Sequence, residues 1–140
     1  MGEFDIKDLK ALSLAADDSG LARRLGLELV EVAEGYAKAR LRIGEEHLNL
    51  FGLTHGGALY ALADHVCSVA GNSLGRRAVI VQSTAYFFAN PDKGQEVFAE
   101  GSVVKSGRTL GHLEIGVRDG SGRLCLSFTA SICFLDKEEE

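Results

Sequence analysis

The sequence predicts an α+β domain in which an antiparallel six-stranded sheet wraps around one long central helix. Three observations carry this. Ala58 to Ala70 is almost continuously apolar or small, with no proline and no β-branched run, which marks a buried helix. Two stretches before it and four after it alternate apolar and polar residues with the period of two of half-buried strands. Turn residues punctuate the strands at short intervals, as antiparallel hairpins require. A sheet with one apolar face and a helix apolar nearly all round satisfy each other.

Taken in order, a short first helix falls at about residues 7–19, where Leu9, Leu12 and Leu14 recur at helical spacing and Asp17-Asp18-Ser19-Gly20 ends the pattern. Leu25 to Val32 alternates Leu25, Leu27 and Leu29 and reads as the first strand. After Glu34-Gly35, Tyr36 to Ile43 sets Ala37, Ala39, Leu41 and Ile43 against Lys38, Arg40 and Arg42. The long helix follows and stops near Asn72 to Gly75.

Ala78 to Ala89, rich in β-branched and aromatic residues, is the third strand, closed by Asn90-Pro91-Asp92-Lys93-Gly94. Glu96 to Lys105 is the fourth, and Ser106-Gly107-Arg108 turns it into the fifth. There Leu113, Ile115 and Val117 oppose His112, Glu114 and Arg118. Beyond Gly120-Ser121-Gly122 the last strand sets the even positions Leu124 to Phe134 on one face and Cys125, Ser127, Thr129, Ser131 and Cys133 on the other.

At 140 residues, the chain has the length of one domain, expected over residues 1–140, and can bury a core without staples. A composition of 46% hydrophobic and 25% charged residues is that of a soluble globular protein. The net charge of −5 argues against a nucleic-acid partner, although part of it sits in the acidic tail 136–140. Three cysteines without a Cys-x-x-Cys spacing read as reduced thiols, which with the lack of a signal segment or an apolar span predicts a cytoplasmic protein away from membranes. The four histidines and three cysteines show no metal-ligand spacing, so no metal and no resident cofactor is expected. His47 and His112 read as surface residues, His55 as a loop-holding residue and His65 as a packing or interface residue.

Within the helix, Asp64 is a carboxylate among apolar neighbours, and such a group is paired, protonated or used. Thr54 fits the N-cap position, placing Gly56 and Gly57 in the first turn, where backbone N–H groups lack intrahelical partners. The two glycines weaken the helix by about 1 kcal/mol each relative to alanine, but leave those N–H groups open to close approach. Together with the helix dipole they suit a developing oxyanion.

Asn49, Gly52, the run His55-Gly56-Gly57 and Asp64 stand at the spacing of the hotdog-fold acyl-CoA thioesterases, and the chain resembles in particular their phenylacetic acid degradation branch. That resemblance implies the hotdog fold and hydrolysis of an aryl-acyl or short to medium acyl-CoA thioester. It implies Asp64 as general base or nucleophile, the Gly56 N–H polarising the carbonyl, and Asn49 positioning substrate or water, with His55 in the same motif. Gly57 and Ser68, one turn after Asp64, would border the substrate. Lys105, Ser106, Gly107 and Arg108 would grip the coenzyme A portion, with Arg76, Arg77 and Lys93 as further cations.

Phe51, Leu53, Tyr60 and Phe87 would line the acyl pocket. By the same resemblance each site lies across a dimer interface, and a homotetramer built as a dimer of dimers is expected, a dimer being the fallback. Two alternatives use the same residues: a hotdog hydratase or dehydratase, whose histidine normally stands in a proline-rich setting missing here, and a non-enzymatic acyl-CoA binding module.

Overall fold

The computed structural model describes residues 3–135, so the acidic segment 136–140 lies outside the described residues. Two short helices, α1 (Leu9–Asp17) and α2 (Gly20–Leu25), precede strands β1 (Glu28–Ala33) and β2 (Tyr36–Arg42). A single 3-10 turn, Glu45–His47, and a loop lead to helix α3 (Gly56–Asn72), followed by β3 (Ala78–Phe87), β4 (Glu96–Ser106), β5 (Leu110–Arg118) and β6 (Leu124–Phe134).

All six strands form one antiparallel sheet in the order β1-β2-β4-β5-β6-β3, which curls around α3 in the hotdog arrangement. The alternation read from the sequence is the alternation that packs. Ala37, Ala39, Leu41 and Ile43, then Leu113, Ile115 and Val117, then Leu126, Phe128, Ala130 and Ile132 all lie beneath the helix, each at most 3% exposed. Phe128 is the largest fully buried side chain, and Tyr60 of α3 meets it edge to face at 5.2 Å between ring centroids. Cys125, on the opposite face by parity, is nevertheless fully buried, and burial pushes its thiol pKa up.

Three local expectations are corrected. Leu25 ends a helix and does not begin a strand: Leu21 to Leu25 consists of good helix formers, and Gly26, in the left-handed region at φ 80°, caps it before β1 starts at Glu28. The leucine alternation at 25, 27 and 29 masked this stop.

His47 is also no surface residue, at 2% exposed. Its Nδ1 accepts from the Gly44 N–H at 2.9 Å, which leaves Nε2–H to donate to the Leu25 carbonyl at 2.7 Å. The ring therefore ties the end of α2 to the loop after β2. Finally, Thr54 is not the N-cap of α3, because its hydroxyl donates to the Pro91 carbonyl at 2.6 Å and its backbone is clamped on both sides by the Asn90 side chain.

Candidate active site

Helix α3 is covered on every side but one. Ala58, Leu59, Leu62, Ala63, His65, Val66, Cys67, Val69, Ala70 and Gly71 are buried, whereas Gly56, Gly57, Tyr60, Ala61, Asp64, Ser68 and Asn72 are not. The latter recur three or four residues apart and so form one stripe along the helix. That stripe runs beside the edge strand β3. The Phe87 ring packs against Gly56, the Tyr60 and Ser83 hydroxyls hydrogen-bond to each other, and Asn72 holds the backbone of Ala78 through both of its amide atoms. Asp64 and Ser68 lie between these contacts.

The head of the stripe is built by the loop from Leu48 to Thr54, whose ends pair as an isolated bridge. Asn49 organises the loop: its Oδ1 accepts from the N–H groups of Phe51 at 2.9 Å and Leu53 at 3.1 Å, and its carbonyl accepts from Gly52. The His55 N–H donates to the carbonyl of the buried His47 at 2.7 Å. Leu50 and Phe51 are left at the tip, 87% and 75% exposed.

His55 supplies the N-cap, its Nδ1 accepting from the Gly57 N–H at 3.0 Å. This matches a loop-holding role for its ring and takes the Gly57 N–H out of use. The Gly56 N–H has no acceptor among the described residues. A side chain at Gly56 would meet Phe87, since a Cβ there would stand 3.0 Å from the ring, so glycine keeps the N–H open beneath an aromatic wall.

Asp64 sits two turns along the stripe, half-buried, with no hydrogen bond to its carboxylate among the described residues. Burial pushes its pKa above the ordinary carboxylate value, and neighbouring His65 pulls the other way. Ser68, one turn on, is exposed. The stripe thus offers a free N–H donor at a helix start, a carboxylate poised to take a proton, and a hydroxyl.

Lys105, Ser106, Gly107 and Arg108 are not brought to this place within one subunit. They form the exposed β4–β5 turn, held by Arg76 just beyond the end of α3, whose guanidinium donates to the Gly107 and Arg108 carbonyls at 3.3 and 2.7 Å and stacks over Phe134. Gly56 is at the other end of a 17-residue helix, about 25 Å away along the axis. Lys93 lies apart too, paired with Glu45. Ser83, which faces Tyr60 across the stripe, carries no signal in the sequence beyond its place in an apolar strand.

Among the described residues no helix is long and apolar enough to cross a membrane. Residues 51–126, more than half of the chain, match the model of the thioesterase superfamily. A putative esterase of Archaeoglobus fulgidus is 29% identical over 100 residues, covering 71% of this chain and 65% of that protein. The acyl-coenzyme A thioesterase PaaI of Escherichia coli is 29% identical over 101 residues, 72% of each chain. Among solved structures, the TT0310 protein of Thermus thermophilus superposes with a TM-score of 0.80 at 32% identity, covering 84% of this chain and 98% of its own.

Proposed function

The chain belongs to the thioesterase superfamily, and on that premise we propose that it hydrolyses an aryl-acyl or short to medium acyl-CoA thioester to the free acid and coenzyme A. The observation that carries this reading is that one open stripe of a buried helix holds both a Gly56 N–H and an Asp64 carboxylate that are without hydrogen-bond partners among the described residues. The acyl-CoA thioesterase activity named for the Escherichia coli relative supports the substrate class.

The thioester carbonyl oxygen is received by the Gly56 N–H and the positive end of α3, a kind of donor whose loss typically costs about 3 kcal/mol of transition-state stabilisation. Asp64 then takes a proton from water as the water oxygen attacks the acyl carbon, or attacks that carbon itself to give an anhydride that water opens. Either way the carbon–sulfur bond breaks and the thiolate leaves, taking up a proton as the acid forms. The raised pKa of Asp64 makes it the stronger base. Asn49 has its Oδ1 committed to the loop, so its contribution is the Nδ2 donor, aimed at the carbonyl or at the attacking water.

The site is completed by a second copy. Strand β3 is an edge with Val79, Val81, Tyr86 and Phe87 each about half exposed, and the open stripe runs along it. Pairing of two β3 edges would bring Asn49 and Gly56 of one copy to Asp64 of the other. It would also place Phe51, Leu53 and Phe87 around the acyl group. The separation of the Lys105 to Arg108 turn from Gly56 within one subunit supports the same arrangement, the turn reaching coenzyme A phosphates from across the interface. A homotetramer, formed by two such dimers packing through their outer sheet faces, is the expected assembly.

Release of free thiol from a panel of aryl-acetyl, benzoyl, short and medium acyl-CoA thioesters tests the proposal. Wild type is expected to cleave some of them and Asp64→Asn to lose about a hundredfold or more in kcat/KM. Hydration of a 2-enoyl thioester without cleavage would transfer the chain to the hydratases; tight binding without turnover would make it a carrier of acyl-CoA.

A further inference from the structure

Hydrolysis as described leaves one pair of titratable residues, a buried histidine and a partly exposed aspartate, without a task. His65 follows Asp64 on α3, turned about 100° from it onto the covered flank of the helix and 9% exposed. Its Nε2 lies 3.0 Å from Oδ1 of Asp17, the last residue of α1. Asp17 also accepts from the Leu29 N–H of β1, at 3.2 Å to Oδ1 and 3.1 Å to Oδ2. One carboxylate thus fixes the imidazole, the first helix and the first strand together. An apolar residue would fill the same space without the cost of burying a polar ring.

We propose that His65 is a positioning residue for the reaction: clamped by Asp17, it holds a positive charge beside Asp64 that keeps this half-buried carboxylate in its ionised, proton-accepting form. The inference rests on the reading of Asp64 as base or nucleophile. The 3.0 Å contact sets the Asp17 carboxylate against Nε2 of His65, and an opposite charge at that range favours the charged form of its neighbour.

Nothing nearby competes. The sheet residues buried beneath α3, from Ala37 in β2 to Ile132 in β6, are all apolar, and β3 carries no charged residue. The first helix presents Asp17, and β1 presents only the Leu29 N–H that Asp17 engages. On α3 itself the remaining titratable neighbours are Tyr60, one turn before Asp64 with its hydroxyl bonded to Ser83, and Cys67, whose thiol is pushed up to about 12 by burial and then by Asp64, and so stays neutral. Burial raises the Asp64 pKa and His65 opposes that rise, which gives the sign. Activity that needs ionised Asp64 grows as pH rises through its pKa, and removal of the positive neighbour moves that limb to higher pH.

The test is the pH profile of kcat/KM from about pH 5 to 9 for wild type, His65→Gln, Asp17→Asn and Asp64→Asn. The glutamine variant is expected to move the acid midpoint up by about one unit, a loss of about tenfold at the acid end, with the alkaline plateau within about twofold of wild type. Asp17→Asn should move it in the same direction by less, because the imidazolium loses its counter-charge. An unmoved midpoint, or a loss equal at every pH, overturns the proposal.

Should the glutamine variant not fold, ring-proton NMR of His65 decides between wild type and Asp17→Asn. A lower imidazole pKa in the asparagine variant upholds the clamp, and an unchanged one overturns it. Wild-type turnover in Asp64→Asn would remove the underlying reading of Asp64; an inactive Asp64→Asn beside an unmoved His65→Gln midpoint removes only the role of His65.

Discussion

Along β1, two glutamates and a bulge between Leu29 and Glu31 interrupt the outer edge, and α1 and α2 are lashed to that side by Asp17 and His47. Along β3, ten residues pass without one charge, and the segment continues uncharged through Phe88 to Asn90. A sheet edge offers unpaired backbone groups to any passing strand, and charge, bulges and covering elements are the usual defences. The β1 edge has all three. The β3 edge has a bulge between Ile80 and Gln82 and otherwise exposes valines and aromatics. The difference teaches that one side of the molecule is finished by its own chain and the other is left open, the side on which the proposed second copy would dock beside the candidate site.

The sharpest way to break this comparison is to give β3 the charge it lacks. Val81→Lys, at a side chain 57% exposed, is expected to shift the assembly to monomers by light scattering and to lower thioester cleavage by about a hundredfold or more, whereas Val30→Lys in β1 should change neither. Equal effects from the two would erase the distinction. A smaller loss, about tenfold in kcat, is expected for Gly56→Ala, where the added methyl would press on Phe87 and crowd the N–H without altering the assembly.

On the β1 side the cost should appear as stability. His47→Ala would leave the Leu25 carbonyl and the Gly44 N–H without their buried partner, and is expected to lower unfolding stability by about 3 kcal/mol in urea titration while the folded fraction keeps its KM. The smallest and slowest-varying effect concerns acid. Asp119 accepts from Ser121 and Arg123, and these bonds hold its pKa down at about 2. A depressed carboxylate contributes stability that is present above its unfolded pKa, near 3.8, and is lost as pH falls towards 2. The Asp119→Asn variant should therefore be less stable at neutral pH, with the gap closing below about pH 3.

The strand faces were legible because each face is either covered or wet, and residues such as Leu113, Ile115 and Val117 declare which. The long helix was legible for the opposite reason, being covered nearly all round. Sheet order was not, since the pairing of β3 with β6 joins residues as far apart as Ala78 and Phe134 and nothing local specifies it. The short helix α2 hid behind leucines spaced like a strand. In the site, Asp64 and Gly56 announced themselves by breaking local rules, a carboxylate in an apolar helix and glycines in a first turn. The cap did not: a threonine before a helix is the ordinary choice, and only the fold reveals that Pro91 has taken its hydroxyl and that His55 does the capping. His47 misled because a histidine after two glutamates looks wet, and its burial depends on a carbonyl 22 residues away.

The position of β3 also governs how the chain comes into being. Synthesised from the N-terminus, β1, β2 and α3 are complete before β3 emerges, but β6, its one strand partner among the described residues, is the last strand to be made. For the time needed to add residues 88–134, an uncharged, β-branched strand waits on the ribosome with both edges open. The nascent protein is therefore most exposed to misassembly late in translation, and in the proposed assembly one of the two edges is relieved only after release, when a second finished subunit is met. Yield on overexpression should depend on how many copies are held at that stage at once, and a slower rate of synthesis should favour the soluble product.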